Sequence, residues 1–148
     1  MTSLLHEYLA RQAHHRPEAV AVTMAGERLT YGQLETASNQ IARLLRDVGC
    51  RRGDRICMFL PKSPSAIASM IAVLKADCAY VPIDVASPAR RIKSIVQAAD
   101  PSAILMTPST CTLVDELVAL GCFGRSVRIG DRRRYRRGLQ LSISVLEG

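Results

Sequence analysis

The sequence predicts an α/β fold: a partial parallel-sheet layer with helices on both faces. Three observations predict it. From Arg55 onward, short apolar runs bounded by turn residues alternate with segments of helical periodicity. Short connections between such runs are the mark of βαβ units and a covered parallel sheet. Two of the helical segments open alike, at Ser63-Pro64 and Ser87-Pro88, each a capping residue followed by proline at the first helical position. The run Arg-Ile-Cys-Met-Phe-Leu at 55–60 is mostly apolar without alternation, as a strand buried on both faces requires.

In chain order, residues 3–14 read as an amphipathic helix with Leu4, Leu5, Tyr8 and Leu9 on one face, ended by Pro17. Residues 19–24 read as a strand, and Ala-Gly-Glu turns into a second strand at 28–30, giving a hairpin. Thr30 is the expected N-cap of the next helix, with Gln33 completing a capping box. Leu34, Ala37, Ile41, Leu44, Leu45 and Val48 then share a face, while Glu35, Asn39, Arg43 and Asp47 face away. Gly49 stops that helix as a C′ residue does. After the strand at 55–60, the helix opened by Ser63-Pro64 is apolar almost all round, so cover is expected on both sides. A strand follows at 79–83. The helix from Ser87-Pro88 carries Ile92, Ile95, Val96 and Ala99 as its apolar stripe. A strand at 103–106, a helix at about 110–120 and a last strand at 126–129 complete the pattern.

Composition narrows the function. Of 148 residues, 48% are hydrophobic and 22% charged, which fits a globular chain with a real core rather than a disordered one. No apolar run is long enough for a membrane span. The first residues lack the basic start and apolar stretch of a signal peptide. A cytoplasmic protein without a membrane partner is expected. Five cysteines, at 50, 57, 78, 111 and 122, form no C-x-x-C pair, and their number is odd. That pattern speaks against a zinc site and a disulfide framework, and it leaves buried or inert thiols as the expectation. The net charge of +7 is uneven: residues 1–124 hold 13 basic and 11 acidic side chains, residues 125–148 hold 7 and 2.

Ligands of open parallel sheets bind at the carboxyl ends of the strands. Two such ends carry candidate groups. Lys62 stands beside the capped helix start at Ser63-Pro64, where free N–H groups and an ammonium suit an anion. The plainer reading is a capped loop with a solvated lysine, and it takes precedence. Asp84 follows the strand at 79–83 and could hold a hydroxyl; capping the turn before Ser87-Pro88 is the preferred reading. There is no G-x-x-x-x-G-K-[ST] and no G-x-G-x-x-G. His6, His14 and His15 have no ligand partners in sequence. No nucleophile stands with a base. On residue chemistry alone, no active site is identified.

Two segments carry a resemblance. Leu-Thr-Tyr-Gly-Gln-Leu at 29–34, followed by Leu-Lys-Ala-Asp-Cys-Ala-Tyr-Val-Pro-Ile-Asp at 74–84, resembles two successive signatures of the adenylate-forming, AMP-dependent synthetases and ligases. The nearest members are adenylation domains of nonribosomal peptide synthetases and related acyl-AMP ligases. The resemblance covers residues 4 to 107. One departure is Asp77, where the peptide-synthetase pattern usually has glycine. The resemblance implies the first lobe of a large domain. It also implies a parent reaction in which ATP and Mg²⁺ activate a carboxylic or amino acid as an acyl-adenylate. A carrier protein or coenzyme A would then accept the acyl group.

The family's phosphate loop, rich in Ser, Thr and Gly, finds no match here; Thr-Pro-Ser-Thr-Cys-Thr at 107–112 has neither glycine nor lysine. No catalytic, cofactor-binding or metal residue is therefore carried over, and whether these residues are themselves an enzyme stays open. The expectation is a truncated portion of an AMP-forming ligase, inactive alone, binding no cofactor itself and self-associating through exposed apolar surface. Its domains are an N-terminal ligase portion at 1–124 and an unrelated basic tail at 125–148. The alternatives are a non-catalytic or nucleic-acid-binding protein using the arginine-rich tail, and a fragment acting with separately encoded pieces. Nucleic acid is the less favoured partner, since Tyr135 is the tail's only aromatic.

Overall fold

A computed structural model of the chain describes residues 4–123, 126–128 and 142–147. Helix α1 (Leu5–His15) leads to a hairpin of β1 (Val20–Met24) and β2 (Glu27–Thr30). Its turn is Ala25-Gly26, with φ of 49° and 84°, the left-handed pair that a two-residue hairpin turn favours. Helix α2 (Tyr31–Asp47) starts on the expected capping box. Thr30 Oγ1 accepts from Gln33 N–H at 3.2 Å, and Gln33 Oε1 accepts from Thr30 N–H at 2.9 Å. Then come β3 (Arg55–Phe59), α3 (Pro64–Lys75), β4 (Ala79–Pro82), α4 (Ala89–Ala99), β5 (Ala103–Met106) and α5 (Cys111–Ala119). Two further strands are β6 (Ser126–Arg128) and β7 (Ser142–Glu147).

The main sheet has the order β4-β3-β5-β7-β6. β3 pairs in parallel with both β4 and β5, as the sequence predicts. β7 then adds antiparallel to β5, and β6 antiparallel to β7. The parallel layer thus continues into two antiparallel strands. The expected strand at 126–129 is present as β6, with Ile129 outside the described residues. β7 is not anticipated, although Leu141, Ile143 and Val145 alternate with Ser142 and Ser144 at the strand period. The arginine-rich stretch at 132–137 lies outside the described residues.

Alternate residues of β3 and β5 feed two cores, the period-two consequence of a pleated strand. Ile56, Met58, Ala103 and Leu105 pack with Leu34, Ile41, Leu45, Ala68, Ala72 and Val73 of α2 and α3. Cys57, Phe59, Ile104 and Met106 pack with Ile92, Val96, Val114, Leu117 and Phe123. The helices therefore lie on both faces.

Three expectations are corrected. The apolar face of α1 is largely open: Leu9 is buried, whereas Leu4, Leu5 and Tyr8 are exposed. Tyr8 instead lies beneath the Arg11 guanidinium, 4.6 Å from the ring centroid. Helix α3 is covered except at Ile67, which keeps 38% of its surface; its other residues are buried or half-buried. The start of α4 lies one residue later than Ser87-Pro88 suggests. Pro88 is the N-cap and offers no side-chain bond, while Ser87 turns back toward Asp84.

Candidate functional site

The carboxyl ends of β4, β3 and β5 lie side by side, because Met58 pairs with Pro82 and Phe59 with Met106. The loops that leave them form one rim: Asp84 after β4, Leu60 to Ser63 after β3, Thr107 to Thr110 after β5. The fold thus brings together the two candidate ends read from sequence, and it adds a third.

Most polar groups on this rim have a local task. Ser63 Oγ accepts from Ala66 N–H at 3.1 Å, the cap bond that starts α3. Lys62 beside it is exposed. Asp84 is exposed as well, and its Oδ1 accepts from Ala86 N–H at 3.0 Å. That is a carboxylate capping its own turn. At the third end, Thr110 is buried and donates to the Phe59 carbonyl at 2.8 Å, tying the β5 loop to the end of β3. Its Oγ1 also accepts from Thr107 N–H at 3.0 Å. The Thr107 and Ser109 hydroxyls lie 2.8 Å apart at the surface of this loop. The short hydroxyl run at 107–112 gave no hint of the Phe59 contact, since its partner lies 51 positions away.

Away from the rim, Lys75 Nζ donates to Glu35 Oε2 and to Asn39 Oδ1, each at 2.7 Å. Arg46 donates to the Lys75 carbonyl on the same seam. This network joins α2 to α3, the two helices that cover one sheet face. Its side chains are 36 and 40 residues apart, so no local pattern marks it.

The thiols are set against chemistry. Burial pushes Cys57 up to about 12, and burial with Cys78 and Asp54 nearby does the same for Cys50. Burial, together with Asp54 and Asp77, raises Cys78 too, against a lowering by Arg46. A thiol is nucleophilic and metal-binding only as the thiolate, so the upward shifts disfavour both roles for these three at neutral pH. Cys122 is buried and Cys111 partly so. Among the described residues, no group of three His, Cys, Asp or Glu could hold a metal ion. No helix among them is long and apolar enough to cross a membrane.

Comparison with known proteins places this rim in context. A profile of the AMP-binding enzyme family matches residues 9–139. Syringomycin synthase SyrB1 of Pseudomonas syringae pv. syringae is 38% identical over 103 residues, 70% of this chain and 17% of SyrB1. Tyrocidine synthase 2 of Brevibacillus parabrevis is 46% identical over 88 residues, 60% of this chain and 2% of that protein. The solved structure of the nonribosomal peptide synthetase FmoA3, in its alpha-methyl-L-serine-AMP-bound form, superposes with a TM-score of 0.71 at 35% identity. The overlap takes in 78% of this chain and 13% of FmoA3. The chain thus spans a small share of the length of the relatives it matches.

Proposed function

The chain belongs to the AMP-binding enzyme family, and we propose that it supplies the first lobe of the large domain of an adenylate-forming ligase. The parent reaction joins a carboxylic or amino acid to the α-phosphate of ATP, with Mg²⁺, and releases pyrophosphate. A thiol, on coenzyme A or on a carrier protein, then takes the acyl group. A free carboxylate is a poor acyl donor, and adenylation gives it a good leaving group. Peptide-synthetase adenylation domains are the favoured parents, on the identities to SyrB1, tyrocidine synthase 2 and FmoA3.

The single observation that carries this reading is the match over residues 9–139, which takes in all three parallel strands and the helices on both faces. In that role the chain's own residues are architectural. They hold the rim in shape and cover the sheet.

The described residues do not fit ATP and Mg²⁺ as a resident pair. The rim's carboxylate caps its own turn, and the buried hydroxyl of Thr110 is engaged with Phe59. A loop for transferring phosphates needs preorganised donors and charge around them. Lys62 and one helix start do not make such a cradle, so no step of adenylation is assigned to these side chains. On its own such a lobe leaves apolar surface at Ile67 open to a second copy.

The test is exchange of pyrophosphate into ATP by residues 1–148 alone, over a broad panel of amino and carboxylic acids. The expected rate is that of a mock-purified control. Exchange above it with any acid would overturn the architectural reading.

A further inference from the structure

Strand β7 (Ser142–Glu147) lies beyond the family match at 9–139, yet its partner β5 lies well inside it. Four pairs run antiparallel without a break: Ala103 with Val145, Ile104 with Ser144, Leu105 with Ile143, Met106 with Ser142. β5 is among the most enclosed strands, with Ala103, Ile104 and Leu105 at 0% exposure and Met106 at 5%. Its other side is taken by β3 in parallel. A buried strand with one free edge would hold N–H and C=O groups without partners, at a cost comparable to lost hydrogen bonds.

The opposite edge of the sheet is managed differently. β4 is four residues long, is exposed at both ends, and finishes in Pro82, which has no N–H to offer. β5 has no proline, no charge and no exposed residue along its edge. With β7 seated, that edge is closed along its whole length. β7 in turn is held on its far side by β6, with Val127 opposite Leu146 and Arg128 opposite Val145.

We propose that the β5 edge is a strand-accepting site and that its occupant is this chain's own segment 142–147, a self-complementing strand lying outside the family match. The ligand class is an extended peptide, bound antiparallel through main-chain hydrogen bonds.

Amide hydrogen exchange on the full chain, resolved residue by residue, tests this. Successive amides of β5 point alternately toward β3 and toward β7. Both sets are protected in a monomer if β7 occupies the edge. Removing residues 141–148 then lowers protection about 100-fold at the amides facing β7 alone, and those facing β3 keep theirs. Adding the peptide Leu-Ser-Ile-Ser-Val-Leu-Glu-Gly in trans restores it. Should the shortened chain fail to fold, Ile143→Pro and Ser144→Pro in the full chain replace it, with the same selective loss expected. The reading on the unaltered chain holds whichever variants fold. Fast exchange of the β7-facing amides in the unaltered chain overturns the proposal, as does unchanged protection in all variants. Protection that appears only with dimer formation at rising concentration makes a second copy the donor, and overturns the assignment to the chain's own segment.

Discussion

The two ends of the parallel strands are built by different means. At the amino ends, the chain arrives from a helix and the connections bond to one another through the backbone. Gly53 N–H donates to the Asp77 carbonyl, and Ala79 N–H to that of Asp54, each at 2.8 Å. Ser102 N–H donates to the Arg55 carbonyl at 2.8 Å, while the Arg55 guanidinium reaches the carbonyls of Ala99 and Asp100. At the carboxyl ends, each loop is held mostly by a short side chain of its own: Ser63, Asp84, Thr110. The amino ends form one interlocked seam, and the carboxyl rim is a row of nearly separate loops. Loops held one by one can diverge in sequence without loosening the sheet, which suits the end where ligands of such sheets bind.

Thr110 is the exception, and breaking it gives the largest effect. It is the rim side chain whose bond crosses from one loop to another strand. Thr110→Val keeps the volume and removes the hydroxyl, leaving the Phe59 carbonyl and the Thr107 N–H without that partner. Buried groups left unsatisfied cost about 2–3 kcal/mol. Thr110→Ser keeps the hydroxyl and should recover most of the loss. Urea unfolding of the three proteins checks this. Equal stability of the valine and parent proteins would mean that the rim loops are wholly independent.

A smaller effect comes from pH and acts through the scaffold. Cys57 is fully enclosed and its thiol is pushed up to about 12 in the fold, from 9.0. The unfolded chain ionises first, so it binds fewer protons than the fold above pH 9. Stability is therefore complete below the ordinary thiol value and falls as pH rises toward the folded one. One such thiol costs about 1.4 kcal/mol at pH 10. Cys50, raised in the same direction, adds to the slope. Cys57→Ala should lower stability at pH 7 through the lost packing, yet flatten its decline between pH 9 and 11. An unchanged slope in that variant would assign the decline to other groups.

What the sequence made legible follows from distance along the chain. The capping box at Thr30 and Gln33, the cap at Ser63 and the stop at Gly49 are settled within a few residues, and they stand where expected. Strand β3 was legible because burial on two faces writes an unbroken apolar run at 56–59. The Lys75–Glu35–Asn39 network and the Thr110–Phe59 bond were not, because only the packed sheet brings their members together. α1 misled for a related reason. Leu4, Leu5 and Tyr8 have helical spacing, but periodicity tells which residues share a face, not whether anything covers it. On the rim, Asp84 and Ser63 were read as caps, and the structure uses them so. The helix start at Ser87-Pro88 was misplaced by one position: Pro88 is the N-cap, and the Ser87 hydroxyl points to Asp84 instead.

The smallest expected effect has the opposite sign and tests the amino-end seam at a single residue. Helices α2, α3 and α5 stop in the same way, with paired backbone bonds that wrap the last turn. Gly49 N–H donates to Arg46 and Cys50 N–H to Leu45; Asp77 to Leu74 and Cys78 to Val73; Gly121 to Val118 and Cys122 to Leu117. That closure puts its C′ residue in the left-handed region. Gly49 and Gly121 sit there at φ of 95° and 65°, and Asp77 does so at 59°. The position where the family pattern usually has glycine is thus the one where this backbone demands a glycine-like turn. A side chain with a Cβ is strained in that region, less so for Asp than for most, and glycine is not. Asp77→Gly should therefore stabilise the protein by about 0.5–1 kcal/mol, the relief of strain exceeding the added freedom of the unfolded chain. The Asp77 carbonyl keeps its bond from Gly53, because that bond is backbone to backbone. Removing the carboxylate also takes away one of the charges that raise the Cys78 thiol, so alkylation of Cys78 should begin at slightly lower pH. Denaturant unfolding and a pH series of alkylation read the two effects separately. A destabilised glycine variant would mean that the Asp77 side chain, exposed as it is, holds the seam together in a way that its two glycine counterparts do not need.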